Sequence, residues 1–497
     1  MNPRRTWMRW WWLGIPLVVG MVIGGRLTRE GGWRPPLLAQ EPARPDNQTR
    51  SPLNRPGIIV ATDYHSLQEA IDAAKKANDS EVYIPAGTYV VQEPLNLALP
   101  KGYGGWLKIT GAGPMNTKIV GKTHGKPVID ATGASTITMS ELAIWAVGLA
   151  PAEKPNIGIL LARRPDSTSS QEHRFTNVNL IGDFTLANVY NCTSEGDRFT
   201  GCRFSNDAPG SYNVMWTAEN LAQVQSPYLG PIKSTESNVD FRFTGCLFYS
   251  KGGKGSSNIY VAGLANDLTV RDSCLIPSPQ GYAVLLGTNS QGVPVNNALF
   301  ESIRVEGEEA AAIFHVQGRA QNVTIRNSSI YFGEGPVLDS AEKDSLYQLR
   351  MSENVLNSMR GPRTVIQVGM LLNSVIDATD IHYQTRAGKK IFPGPPLAVQ
   401  CTRSNGNYFR VQKRSEVQIG TSTADIIEAI NDGPANNVAR RYLGNFTSGT
   451  VLNLQPINTA LIRDALRGDV ALDNGTNTAT RRMGFAVFDG NRWIYSN

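Results

Sequence analysis

His315 is the residue in this sequence best placed for acid–base chemistry. It stands second in the stretch FHVQ, between two apolar residues. Imidazole titrates near neutrality, so an accessible histidine can give or take a proton. Arg319, just beyond that stretch, is a residue type that holds carboxylates. Lys254, with Lys251 in the loop SKGGKGSS, could do the same for an acidic sugar. Tyr260 supplies a ring on which a sugar can stack, and Gln367 supplies an amide. The plainer readings are a solvent-facing histidine beside a loop arginine, and a solvated lysine loop.

These residues are far apart in the chain, so something regular must bring them together. The stretches ILLA from Ile159, VMWT from Val214, IYVA from Ile259, VLLG from Val284, FHVQ from Phe314 and IQVG from Ile366 all read as strands. Strand side chains alternate, so the apolar first and third positions face inward. The second positions then face outward: Leu160, Met215, Tyr260, Leu285, His315 and Gln367. Stacked coils repeat at about 4.8 Å, so these positions would form one row along the molecule. Trp216 falls on the inward side, leaving Tyr260 and Met215 as candidate sugar contacts.

A repeated phrase supports such stacking. It reads FTNVNL from Phe175, FTGCRF from Phe199, FTGCLF from Phe243 and FESIRV from Phe300, with an earlier copy, MSELAI, at Met139. Looser copies start at Thr269 and Thr324. Most intervals are near one coil, and the longest, from Phe199 to Phe243, is near two. Asn177, Gly201, Gly245, Asp272, Ser302 and Asn327 mark a sharp corner, and most of these types tolerate a left-handed backbone. Val178, Cys202, Cys246 and Ile303 then point inward. A β-sandwich has no reason to repeat one corner at this spacing, so the pattern predicts a β-solenoid.

Residues 58–91 add a capped start. Ser66 and Glu69 form a capping box before the helix SLQEAIDAAKKA, whose apolar face is Leu67, Ala70, Ile71 and Ala74. The strand VYIPAGTYVV follows from Val82. A capped helix, then YIPAGTY, then a coil-repeat body resembles the pectate-lyase-like superfamily, in particular its rhamnogalacturonase/epimerase-like branch. ITGAGPMNTKIVG from Ile109 resembles that family's first coils. The resemblance covers roughly residues 58–390. It implies an all-β, right-handed parallel β-helix whose open end is capped by the helix. It also implies that the outer face of one sheet forms a groove for polysaccharide.

Activity is less legible. Uronan lyases need a base and a charge that neutralises the sugar carboxylate. Glycosidases need two carboxyl groups across the bond. The outward row carries neither a carboxylate ladder nor an arginine pair. The clustered aspartates, Gly-His-Gly and Arg-x-Lys of polygalacturonase-like members are absent. Two readings therefore stand. One is a carbohydrate-active enzyme of lyase, hydrolase or epimerase type. The other is a non-catalytic, tailspike-like or cell-surface β-helix that binds glycan. No cofactor is identified; Ca²⁺ is the possible one, through Asp183, Asp197 and Asp240 near coil turns.

Composition bounds the rest. Net charge is +6, but Arg4, Arg5, Arg9, Arg26, Arg29 and Arg34 all precede residue 40, so the body is nearly balanced. No basic stripe is legible, and nucleic acid is not an expected partner. GAGPMNTK lacks the spacing of a phosphate-binding loop. The five cysteines form no zinc pattern. Cys202, Cys246 and Cys274 fall at like positions in successive corners, which reads as a buried, reduced stack. Residues 1–40 read as an export signal or signal anchor, so the body is expected outside the cytoplasm, anchored to a membrane only through that segment. Residues 41–57 read as a linker and 58–420 as the β-helix. Within 395–420, LAVQCT and NYFRVQ suggest a hairpin through Ser404-Asn405-Gly406-Asn407. Residues 421–497 read as a C-terminal cap or small β module, with a short helix TADIIEAI capped by Thr423 and a hairpin at Asp489-Gly490. Oligomeric state is not legible.

Overall fold

In a computed structural model the chain forms a solenoid of short parallel strands. The structure describes most of residues 57–430 and shorter stretches between 442 and 495. The leader 1–40 and all but the last residue of the 41–57 linker lie outside the described residues. Among the described residues no helix is long and apolar enough to cross a membrane.

A 38-stranded sheet winds from Ile58–Val60 to Val451–Asn453 with parallel pairing throughout. Its strands make three faces. The first contains Ile157–Leu161, Tyr212–Thr217, Ser257–Ala262 and Ala312–Gln317. The second contains Arg198–Thr200, Asn238–Thr244 and Ala265–Arg271. The third contains Arg203–Asn206, Leu247–Ser250 and Cys274–Ile276. Each strand within the stack bonds to its counterparts one coil before and one coil after, so the backbone of the paired strands is satisfied along the stack. The architecture is a right-handed parallel β-helix.

The corners explain the repeat. Asn177, Gly201, Gly245, Asp272, Ser302 and Asn327 all have φ between 49° and 64°. They stack one on the next between the second and third faces. A second column of left-handed residues, including Asp240, Asp267, Asn297 and Asn322, turns the chain at the start of the second face. Polar side chains tie these corners coil to coil: the amide of Asn296 donates to Asn266 at 3.1 Å, and that of Asn322 to Asn296 at 2.7 Å.

Inside, like residues stack on like. The rings of Phe175 and Phe199 lie 4.4 Å apart, those of Phe199 and Phe243 5.2 Å, and those of Phe204 and Phe248 4.9 Å. Each ring is buried, so this column carries much of the core's apolar area. At the open end, helix Leu67–Ala77 buries Leu67, Ala70, Ile71 and Ala74 over the first coil. The Ser66 hydroxyl accepts from the Glu69 N–H at 3.2 Å; the Glu69 carboxylate reaches the His65 N–H rather than that of Ser66.

Several expectations are corrected. Phe199 and Phe243 pair directly, so their long interval is one coil with an insertion between Thr217 and Asn238, not two coils. A solenoid tolerates such length because only the strands must keep register. Cys202 and Cys246 are buried free thiols. The residue that follows them in the stack is Ser273, whose hydroxyl accepts the Cys246 N–H at 3.1 Å. Cys274 pairs with Leu247 and is only half-buried.

The hairpin expected through residues 404–407 is instead a coil corner. Leu397–Asn405 and Tyr408–Gln412 pair in parallel with neighbouring coils, and Gly406 has φ 66°. The helix expected at TADIIEAI is the strand Ile426–Ile430, with Ala424 at φ 54° as its corner. Stacking on Tyr408–Gln412 outweighs the helical propensity of so short a segment. The parallel stack thus runs past residue 420. Beyond it, Val470–Asn474, Met483–Phe488 and Trp493–Tyr495 form a separate antiparallel sheet, with the Asp489-Gly490 turn between the last two.

Candidate functional site

The first face positions the row anticipated from alternation. Leu160, Met215, Tyr260, Leu285, His315 and Gln367 share one register column. Two coils were overlooked in the sequence. Tyr190 lies between Leu160 and Met215, and Asp339 lies between His315 and Gln367. The column then continues as Gln400 and Gln418.

Asp339 gives the row its chemistry. Its carboxylate Oδ1 lies 2.6 Å from Nδ1 of His315. Both side chains are on the outer face and partly exposed, at 22% and 27%. A carboxylate accepts only, so Nδ1 carries the shared proton and Nε2 is left to act beyond the pair. Tyr282, one coil earlier, stacks on the imidazole with ring centres 4.6 Å apart and planes within 16°. Burial, then the charge of Asp339, pushes the Tyr282 phenol above its ordinary pKa, so it stays neutral beside the pair. The same arrangement recurs where Tyr212 stacks on Tyr260, with centres 5.1 Å apart.

The row is open at one end and covered at the other. Beyond Asp339, Gln367, Gln400 and Gln418 line a groove of about 640 Å³ with Ser340, Glu342 and Thr402. Toward the N-terminus, Leu160, Tyr190 and Met215 sit under a second apolar cluster that includes Leu186 and Val224. Asp130, also in this column, is buried and accepts the Ser226 hydroxyl at 2.6 Å. Met215 therefore faces outward yet meets no solvent-borne ligand, and Leu285 is buried too. Trp216 is fully buried on the inner side.

The remaining candidates divide. Tyr260 is partly exposed at the edge of the apolar cluster, and Gln367 is exposed in the groove. Arg319 begins the strand Arg319–Arg326, past the bend that ends the first face, and Lys254 lies in the loop before Ser257–Ala262. Both are exposed. Among the described residues neither makes a hydrogen bond or ion pair with His315 or Asp339. The three aspartates considered for Ca²⁺ are each otherwise engaged. Asp183 pairs with Lys154 at 2.7 Å, Asp240 with Arg242, and Asp197 is buried, accepting the His173 backbone N–H at 3.1 Å. Among the described residues no group of three or more His, Cys, Asp or Glu side chains is placed to hold a metal.

Asp339 was findable. The gap between the FHVQ and IQVG stretches spans two coils, and VLDS from Val337 lies within it. Its strand, Leu338–Ser340, has only three residues and a polar third position, so it lacks the apolar-x-apolar signature.

Comparisons bear on the fold. Residues 59–144 match the family described as rhamnogalacturonase A/epimerase, pectate lyase-like. No curated protein matches. Among solved structures, the mannuronan C-5 epimerase AlgE4 A-module of Azotobacter vinelandii is similar at TM-score 0.44 and 13% identity, over 80% of this chain and 97% of that one. The tailspike gp49 of Acinetobacter baumannii bacteriophage Fri1, a capsular polysaccharide depolymerase, gives 0.43 and 10%, over 84% and 70%. The Streptococcus pneumoniae surface protein and adhesin PfbA gives 0.34 and 13%, over 81% and 99%. With its coils stacked in parallel from Ile58 to Asn453, the chain is a right-handed parallel β-helix whose first coils match a family model described as pectate lyase-like.

Proposed function

We propose that this protein is an exported, polysaccharide-active enzyme. Its glycan lies along the outward row of the first face, and the His315–Asp339 pair moves the proton. The observation that carries the reading is the 2.6 Å contact between Nδ1 of His315 and the Asp339 carboxylate. Asp339 fixes the ring's orientation and steadies the charge the imidazole gains when it takes a proton at Nε2. Tyr282 holds the plane of the ring from one side. Stacked coils present Gln367, Gln400 and Gln418 at about 4.8 Å intervals, a pitch close to one sugar residue, as donors and acceptors for hydroxyls. The matched family's name, with its lyase, hydrolase and epimerase chemistries, supports a glycan as substrate.

Among the described residues the groove lining contains amides, hydroxyls and Glu342 and no lysine or arginine, which suits a glycan read through its hydroxyl groups. The test is a screen of neutral and acidic polysaccharides, reading new reducing ends, the ultraviolet absorbance of an unsaturated sugar, and sugar configuration by NMR. Turnover by the native chain and its loss in His315→Ala supports the reading. Binding without turnover, unaffected by His315→Ala and weakened by Tyr260→Ala, would instead make the molecule a glycan-binding β-helix.

A further inference from the structure

The outer face of the second sheet carries a basic strip that no stretch of the sequence reveals. Between its two left-handed corners each coil turns two side chains outward there. Arg174, Arg198 and Arg242 take the first position in three consecutive coils and pair directly in register. Thr176, Thr200 and Thr244 take the second. All six are exposed.

The two columns continue in both directions. Lys108 precedes Thr138 and Arg174 in the first, and Arg350 lies farther along it. Arg271 and Arg326 lie in the second. From Lys108 to Arg350 the only carboxylate in these columns is Glu301, which bridges Arg271 at 2.8 Å and Arg326 at 2.6 Å. At the bordering corners Asp240 pairs with Arg242, Glu141 accepts from Asn177 at 2.7 Å, and Glu172 is exposed. Among the described residues Arg174 and Arg198 form no ion pair.

Guanidinium groups repeating at about 4.8 Å repel one another, and like charges opposed across strands are destabilising. A fold that stacks arginine on arginine leaves a site whose repulsion is relieved by a ligand with anionic groups at similar pitch. The threonine column beside them offers hydroxyl donors and acceptors. Neither column contains an aromatic side chain, so the stacking platform typical of single-stranded nucleic acid binding is missing.

We propose that this strip binds an acidic linear polysaccharide laid along the solenoid axis, with its anionic groups on Arg174, Arg198 and Arg242. It is a surface apart from the His315 row, and the proposal stands whether or not that row is catalytic. Binding of the full chain to polygalacturonate and to dextran sulfate tests it, and their ranking distinguishes carboxylate from sulfate. Methyl-esterified polygalacturonate and a single-stranded oligothymidine are the controls. The expected result is binding to an acidic polysaccharide that weakens as salt rises. It should be lowered about tenfold or more by the triple variant Arg174→Gln, Arg198→Gln, Arg242→Gln. Should the triple variant misfold, Arg198→Gln alone is expected to weaken binding roughly two- to threefold. Equal binding of the esterified polymer, tighter binding of the oligothymidine, or full affinity in the folded arginine variants would overturn the proposal.

Discussion

The first and second faces of this solenoid are built alike and present opposite chemistry. Each is a ladder of parallel strands whose outward positions repeat coil by coil. On the first, the open part of the row is His315, Asp339, Gln367, Gln400 and Gln418, amides and one histidine–carboxylate pair on which the proposed glycan site rests. On the second, the row is Arg174, Arg198 and Arg242, a column of exposed cations. Neither set is contiguous in the sequence. The backbone register alone assembles both, so a change in one column can alter one face and leave the other intact.

The largest expected effect removes what the faces share. Phe199 stacks on both Phe175 and Phe243 beneath the strip, in the core common to all three sheets. Phe199→Ala should cost about 3–5 kcal/mol, measured by chemical denaturation, and should impair both faces together. An unchanged midpoint would mean that the ring column is not the scaffold.

The next is the dependence of folding on pH, set by two groups buried beneath the second face. Directly before Arg174 and Arg198 in the chain, His173 and Asp197 face inward in a fully buried network. The His173 Nε2 contacts Ser170 at 2.9 Å, and the Asn191 amide donates to Asp197 at 3.0 Å. Burial pushes His173 down from 6.5 to about 3 and Asp197 up from 3.8 to about 8. Below pH 6.5 the unfolded chain binds a proton at His173 that the folded chain refuses, so stability falls from pH 6.5 toward 3. For Asp197 the folded chain keeps a proton the unfolded chain releases, so its contribution is full below about 3.8 and lost as pH rises toward 8. Between about pH 3.8 and 6.5 the two contributions oppose, so His173→Gln should leave stability declining with rising pH where the native profile is nearly level. Asp197→Asn should flatten the decline between about pH 6.5 and 8. Each effect is on the order of a few kcal/mol across its window. Unaltered profiles would contradict the buried titrations.

Smaller effects are confined to one face. Gln400→Ala should weaken glycan binding in the groove by about 1 kcal/mol with folding unchanged. Arg198→Thr should leave stability within about 0.5 kcal/mol of the native chain or raise it slightly, since it removes like-charge stacking. A marked loss of stability would mean that the strip is structural.

Much of the scaffold was legible. Every corner residue named from the repeat is left-handed, and the outward row fell in true register, because both rest on local rules of strand alternation and backbone sterics. What alternation does not reveal is coverage. Leu160 and Met215 point outward into an apolar cluster that includes Val224, which lies outside the repeat. Asp339 escaped notice because its strand is too short to show a period. The arginine strip escaped because Arg174, Arg198 and Arg242 become neighbours only through coil closure. At TADIIEAI the local helical signal was real and lost to stacking on the preceding coil.

The central claim is that His315 and Asp339 act as one proton-transfer unit on the first face. Turnover of the native chain, His315→Ala, Asp339→Asn and the double variant, on the best polysaccharide from the screen, tests it most directly. Each single variant should lose about 10²-fold or more in kcat with an unchanged melting temperature. The double variant should be little worse than His315→Ala, because the two residues work as a unit. Full activity in His315→Ala, or losses that multiply in the double variant, would contradict the account.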